Sequence, residues 1–331
     1  MPSPRRQAPL RIDPYAQNGF NVRFDWGGNG AAAIAAGAGA MIVVDVLSFT
    51  TTLSVAVDAG IEVFPFRVRD ASAATFAATR GAMLAVGRRE AADTGVSLSP
   101  LSVRRAVADG TLKPGARLVL PSPNGATVAR QLAETGVPVI GACLRNASAC
   151  ANWAVRAVRG PIGVVAAGEW WPGEALRPSV EDLWGAGLII DALAAAGAGP
   201  MSPEAAAARA AFRGVGRNLA MGLAACASGL ELATDGYGDE IAVAAEVNSS
   251  RKVPVLRGES FAAAWGSPGR VGSAAPWCSG EIHTGRLLEP LTWIWTRAAP
   301  IGRDVVGRWR EPVPGAAKVV AAPVPAEAMG L

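Results

Sequence analysis

The stretch Met41-Ile42-Val43-Val44-Asp45-Val46-Leu47-Ser48-Phe49-Thr50-Thr51-Thr52 decides the fold. Residues 41–46 are apolar except for one carboxylate, the pattern of a strand covered on both faces. A helix is expected behind them, near residues 51–59. Outward from this unit the layout recurs. Strands are expected at 62–66, 82–86, 117–120, 137–140 and 162–166, and helices at 70–80, 126–134, 147–158 and 180–195. Short apolar strands alternating with longer helices imply βαβ units. The expected fold class is α/β, a three-layer-like and mostly parallel sheet flanked by helices, with a helical C-terminal part. Residues 203–246 show no strand pattern and read as two or three helices. Residues 253–256 return as a late strand.

After Phe261 the texture changes. Five of the ten tryptophans fall in the last 70 residues, among Pro, Gly and Arg, without periodicity. The chain therefore divides into an α/β domain, 1–261, and an irregular Trp/Pro/Gly-rich extension, 262–331.

Half of the 331 residues are hydrophobic and 18% are charged, so a large core is expected. A sequence pI near 9.2 invites a nucleic-acid partner, but the charge distribution argues against one. Residues 25–261 carry 20 Lys/Arg against 21 Asp/Glu, and the excess sits in the two ends without a basic run. A phosphate-tracking protein needs a basic stripe or a reading motif, and neither is present. Cys143, Cys150, Cys226 and Cys278 form no C-x-x-C pair and no zinc spacing, so they read as reduced thiols of a cytoplasmic protein. The longest apolar stretch, 31–44, is too short and too Gly-rich for a membrane span. Whether the chain forms a homo-oligomer stays open. His283 is the only histidine, so a His-based triad or two-His metal site would hang on one residue of the extension. Carboxylates, hydroxyls, arginines and a metal remain.

Several expected strands end in a polar loop that opens a helix. These loops are Asp45 with Ser48 to Thr52, Ser122-Pro123-Asn124-Gly125, Arg145-Asn146, and Gly168-Glu169. In a parallel sheet such loops gather at the carboxyl edge, where ligands bind, and helix N-termini there favour an anion such as phosphate. Asp45 is the sharpest signal, because burying a carboxylate is costly without partners. It reads as a magnesium ligand or nucleophile, against a cap of the following turn. Ser179-Val180-Glu181-Asp182 offers further acids, against a capping-box reading. Asn124-Gly125 alone is a common turn. Arg88, Arg89 and Arg145 are candidate oxyanion clamps, against surface solvation. Trp170-Trp171 reads as a lid or a packing patch.

Taken in order, these segments resemble the 2-phosphosulfolactate phosphatase family. Val43-Val44-Asp45-Val46-Leu47-Ser48-Phe49-Thr50-Thr51 is similar to its V-I-D-V-L-R-A-T-T-like run. Gly87-Arg88-Arg89 resembles its G-E-R, Leu98-Ser99-Pro100 its N-S-P, and Pro123-Asn124-Gly125-Ala126 its T-N-G-T. Asn146-Ala147-Ser148-Ala149 resembles N-A-x-A, and Ser179 to Gly187 resembles S-x-E-D-L-x-x-A-G. The resemblance implies Mg²⁺-dependent hydrolysis of the phosphate ester of a sulfonated hydroxy acid, 2-phosphosulfolactate, on a route to coenzyme M. It points to Asp45, Glu181 and Asp182 as catalytic, with Asp45 and Glu181 on the metal. It points to Thr50, Thr51, Arg89, Asn124, Gly125 and Asn146 as contacts to a small phosphorylated substrate. Two departures stand out: Ser48 replaces an arginine, and Arg88 replaces a glutamate. A non-catalytic anion-binding protein and a phosphatase for another phospho-hydroxy acid are the rival readings. The D-x-D-x-T pattern of aspartyl-phosphate phosphatases is absent, because Leu47 holds the second acidic position.

Overall fold

The computed structural model describes residues 13–91, 95–173 and 175–264. Its first strand, β1 (Val22–Trp26), leads into α1 (Gly27–Ala35) and β2 (Ala40–Val44). Helix α2 (Phe49–Asp58), β3 (Glu62–Phe66), α3 (Ala71–Arg80), the short β4 (Met83–Leu84) and α4 (Arg88–Ala91) follow. Then come α5 (Pro100–Ala108), β5 (Arg117–Pro121), α6 (Gly125–Ala133), β6 (Val139–Ala142), α7 (Ala147–Ala157) and β7 (Ile162–Ala166). A small hairpin, β8 (Glu169–Trp170) with β9 (Leu176–Arg177), precedes α8 (Val180–Ala195). Helices α9 (Pro203–Val215), α10 (Leu219–Ala225), α11 (Ala227–Thr234) and α12 (Glu240–Ala244) lead to the hairpin β10 (Pro254–Arg257) and β11 (Ser260–Ala263).

The fold is α/β, as the alternation predicts, and the sheet is mostly parallel. Its nine strands run in the order β1-β7-β2-β6-β10-β11-β3-β5-β4. Strands β1, β7, β2 and β6 are mutually parallel, as are β3, β5 and β4. Between the two sets lie three antiparallel joins through β10 and β11. The late strand expected at 253–256 is thus half of a hairpin that reverses the sense between the two sets. The loops after β2 and β5 therefore do not lie along one edge of a single parallel series. They meet at the start of α2, which packs on β3, β6, β10 and β11 and so spans the join.

Residue alternation along β2 sorts the core. Ile42 and Val44 pack into one cluster with residues of α7, α8 and α9. Met41 and Val43 join another with residues of α1, α2, α5 and α6. Residues Phe49 to Val57 of α2 are all buried. A helix covered all round must be apolar or satisfy its own polar groups. Here Thr50 Oγ1 donates to the Asp45 carbonyl (2.7 Å) and Thr51 Oγ1 to the Val46 carbonyl (2.8 Å), while Thr52 Oγ1 is buried without a partner.

Some elements escape the sequence reading. The alternation Val22-Arg23-Phe24-Asp25-Trp26 hides a strand, because Arg23 is buried and donates to the carbonyls of Phe20, Ile34 and Ala36. The strand expected at 82–86 shrinks to two residues, and the helical part holds four helices where two or three were expected. Beyond Ala264, the extension read at 262–331 lies outside the described residues, along with His283 and Cys278. Among the described residues no helix is long and apolar enough to cross a membrane.

Candidate active site

Asp45 follows the last residue of β2 and is 4% exposed. Its Oδ1 accepts from the Phe49 N–H (3.0 Å), the first residue of α2. Its Oδ2 accepts from the Gly125 N–H (2.8 Å), the first residue of α6, and from Ser122 Oγ (3.5 Å). The two helix starts that the sequence offers to a phosphate are therefore engaged by the protein's own carboxylate. Gly125 is needed for space rather than for turn geometry. A Cβ there would stand 2.6 Å from Asp45 Oδ2 and 2.7 Å from a Phe49 ring carbon.

Asp182, in the first turn of α8, ties two loops together. Its Oδ1 accepts from the Val46 N–H (2.7 Å) and its Oδ2 from the Gly168 N–H (2.9 Å), where Gly168 takes a left-handed φ of +68°. Glu181, 2% exposed, leaves its Oε2 without a partner. Glu169, at the base of the β8–β9 hairpin, accepts from Asn124 Nδ2 (2.8 Å), while Asn124 Oδ1 is buried and unpartnered. These four acids feel one another. Burial pushes the Asp45 carboxyl up and the Glu181 charge adds to it, against the pull of the Phe49 and Gly125 N–H groups. Burial, then the charges of Asp45 and Glu181, push Asp182 well above the usual carboxylate range. Burial and the Asp45 charge push Glu169 up to about 7. The thiol of Cys226, beside Glu181, is pushed up to about 11 by burial first, so it stays a neutral thiol at neutral pH.

The structure thus brings Asp45, Glu181, Asp182, Asn124 and Gly125 together. The remaining predicted residues lie differently. The Thr50 and Thr51 hydroxyls clamp the backbone of residues 45 and 46. Asn146 is fully buried and holds its own turn, with Oδ1 accepting from the Cys143 N–H and Nδ2 donating to the Gly141 carbonyl. Arg89 is an exposed side chain paired with Asp235 at 3.3 Å, on the rim of a 450 Å³ cavity that Glu169 also lines. Arg145 is buried among Ser54, Asp58 and Glu246. Arg88 makes a two-point pair with buried Glu240 and donates to Ser48 Oγ (2.9 Å). Trp170 and Trp171 are exposed on the hairpin, where Arg177 lies over the Trp171 ring. The sequence shows Glu169 only as part of a polar loop; its place three residues after β7, much as Asp45 follows β2, is the signal that singles it out.

The donor set suits a hard cation. Every candidate ligand is an oxygen, and two of them, Glu181 Oε2 and Asn124 Oδ1, are buried without partners. Among the described residues no three acids, cysteines or histidines converge into a metal cage. Mg²⁺ does not need one, since it takes one or two carboxylates and completes its shell with water and phosphate.

An α/β fold with buried acids gathered behind strand ends suits a phosphate-ester hydrolase, and comparison with known proteins identifies that class. A family model for 2-phosphosulpholactate phosphatase matches residues 32–259. A "Probable 2-phosphosulfolactate phosphatase" of Deinococcus radiodurans is 30% identical over 218 residues, 65% of this chain and 86% of that protein. The chain belongs to the 2-phosphosulpholactate phosphatase family and is a phosphatase. The match includes all four acids and stops before the extension.

Proposed function

We propose that the protein hydrolyses the phosphate monoester of a small, multiply charged hydroxy acid, 2-phosphosulfolactate, to sulfolactate and phosphate, with Mg²⁺ as cofactor. One observation carries the reading: two buried oxygens without partners, Glu181 Oε2 and Asn124 Oδ1, belong to residues beside Asp45, a carboxylate locked by two helix starts. Buried polar atoms without partners are rare enough to call for a ligand. Glu181, Asn124 and Asp45 would hold the cation. When bound, it would neutralise the phosphoryl oxygens that the acids otherwise repel.

Glu169 supplies the proton chemistry. Water attack at phosphorus breaks the bond to the ester oxygen. Glu169, with a carboxyl raised to about 7, gives its proton to the departing alkoxide and recovers one from the water now bonded to phosphorus. A donor with a pKa near the working pH suits this step. Asp182, with both oxygens taken by backbone N–H groups, acts as a positioning residue, fixing the loop after β2 against the loop after β7.

Phosphate release from 2-phosphosulfolactate and other phospho-hydroxy acids, with and without Mg²⁺, tests this. Asp45→Asn should lower kcat/KM about a thousandfold, and Glu181→Gln should weaken Mg²⁺ dependence about 10–100-fold. A wild-type protein that releases no phosphate from any of these esters would sink the reading.

A further inference from the structure

A second cavity, of 350 Å³, borders the loop that carries Ser122 and Pro123. Among the described residues, the only charged side chains lining it are Arg67, Arg69 and Arg88. Arg67 and Arg69 follow β3 in the run Phe66-Arg67-Val68-Arg69, ahead of the Asp70 cap of α3. Neither forms a hydrogen bond or ion pair with any described residue. Arg69 lies against Gly87, where an added Cβ would stand 2.2 Å from its Nη1. Any other residue at 87 would push this guanidinium aside. Arg88 is held from behind by Glu240, and its Nη1 donates to no described residue.

The cavity is joined to the reacting centre from two sides. Ser122, which lines it, donates to Asp45. Arg69, Gly87 and Arg88 line both this cavity and the 450 Å³ cavity beside Glu169. The 450 Å³ cavity thus mixes acids with arginines, whereas the charge lining the 350 Å³ cavity beside it is all positive. We propose that the 350 Å³ cavity is the subsite for a second anionic group of the substrate, a carboxylate or sulfonate on its carbon skeleton, held by Arg67, Arg69 and Arg88. This rests on the reading that the phosphate reacts at the acid cluster. A guanidinium fork matches an oxyanion in two-point geometry, and an anion that the four acids would repel finds the unpaired Arg67 and Arg69 beside Arg88.

The test compares wild type with Arg67→Ala and Arg69→Ala, exposed and unpaired positions whose loss threatens no fold. Arg88→Lys, which keeps a charge against Glu240, is the third variant. The readouts are KM and kcat on 2-phosphosulfolactate and on isopropyl phosphate, which has no second anion. Losing one charged hydrogen-bonding partner should raise KM for the first substrate about tenfold or more, with kcat held within about twofold. The ratio of kcat/KM between the two substrates should fall by the same factor. A ratio that does not move, or a loss carried in kcat alone, overturns the subsite. If wild type hydrolyses neither ester, the proposed function fails on its own, and calorimetry with 3-sulfolactate then decides the subsite. Binding by wild type that is lost in both alanine variants supports it. Absent binding, or binding unchanged in the variants, overturns it.

Discussion

The two ends of β2 present opposite surroundings to solvent. At its amino end, Gly39 borders a cavity of 720 Å³, larger than the 450 and 350 Å³ cavities, lined mostly by apolar groups such as Trp153 together with Arg159 and Arg257. No acid lines it. At its carboxyl end stand Asp45 and the mostly polar 450 Å³ cavity that Glu169 lines. Volume alone would choose the wrong end. The difference follows from chain direction. Behind the carboxyl ends of β2 and β5 the next helices begin, and their free N–H groups draw Asp45 inward. At the amino end helices finish, and backbone groups pair directly, as Gly39 N–H does with the Pro161 carbonyl (2.7 Å) and Met41 N–H with the Pro138 carbonyl (2.8 Å). The amino end is a packing gap, and the carboxyl end is where charge is held against its own cost.

The sharpest way to break this contrast is at Gly125. Gly125→Ala puts a methyl 2.6 Å from Asp45 Oδ2 and 2.7 Å from Phe49, so the carboxylate must move. A misplacement of about 1 Å at a reacting group can cost about a hundredfold in rate, and kcat/KM should fall by that order. Overpacking should also lower stability by about 1–3 kcal/mol. Steady-state kinetics and thermal unfolding measure both. Activity within about twofold of wild type would show that Asp45 does not need its two helix-start donors.

Much of this was legible in the chain. The run 41–46 shows its strand because both faces are buried, and β3, β7 and α8 fall at their expected bounds. Asp45, Glu181, Asp182 and Asn124 are visible as polar residues at strand ends and helix starts. What hid was whatever depends on partners distant in sequence. Arg23 looks like a surface residue until the carbonyls of Ile34 and Ala36 fold over it. Thr50 and Thr51 look free because nothing local shows that their hydroxyls return to residues 45 and 46. Asn146 and Arg145 share the layout of the other strand-end loops, yet their groups engage the local turn and α2. The run Phe66-Arg67-Val68-Arg69 follows a strand and precedes a capped helix, as the Asp45 loop does. It lacks a buried carboxylate, so it passed unnoticed.

A smaller effect sharpens the contrast through pH. Burial and the Asp45 charge hold the Glu169 carboxyl up at about 7, against an ordinary value of 4.5. In that interval the folded state binds more protons than the unfolded chain, so stability falls as pH rises from about 4.5 to about 7. Glu169→Gln removes this term. Without Mg²⁺, the variant's Tm should gain about 5–10 °C on wild type between pH 5 and pH 8. Parallel curves for the two proteins would mean that Glu169 titrates normally and does not belong to the acid cluster.

The smallest expected effect on activity lies at the other end of the strand. Trp153 sits on α7, about two turns beyond the Asn146 turn, and packs half-buried against the core while lining the 720 Å³ cavity. Trp153→Ala enlarges a gap that is already there. It removes apolar contact worth about 2 kcal/mol for a half-buried indole, which should lower Tm by roughly 4–8 °C. None of the hydrogen bonds that fix Asp45, Asp182 or Glu169 passes through it, and Asn146 still holds its turn through Cys143 and Gly141. The expectation is therefore a lower Tm with kcat/KM within about twofold, a split that a site residue would not produce. A tenfold fall in kcat/KM at a temperature where the variant is fully folded would couple the packing gap to the chemistry, and the contrast between the two ends of β2 would not survive it.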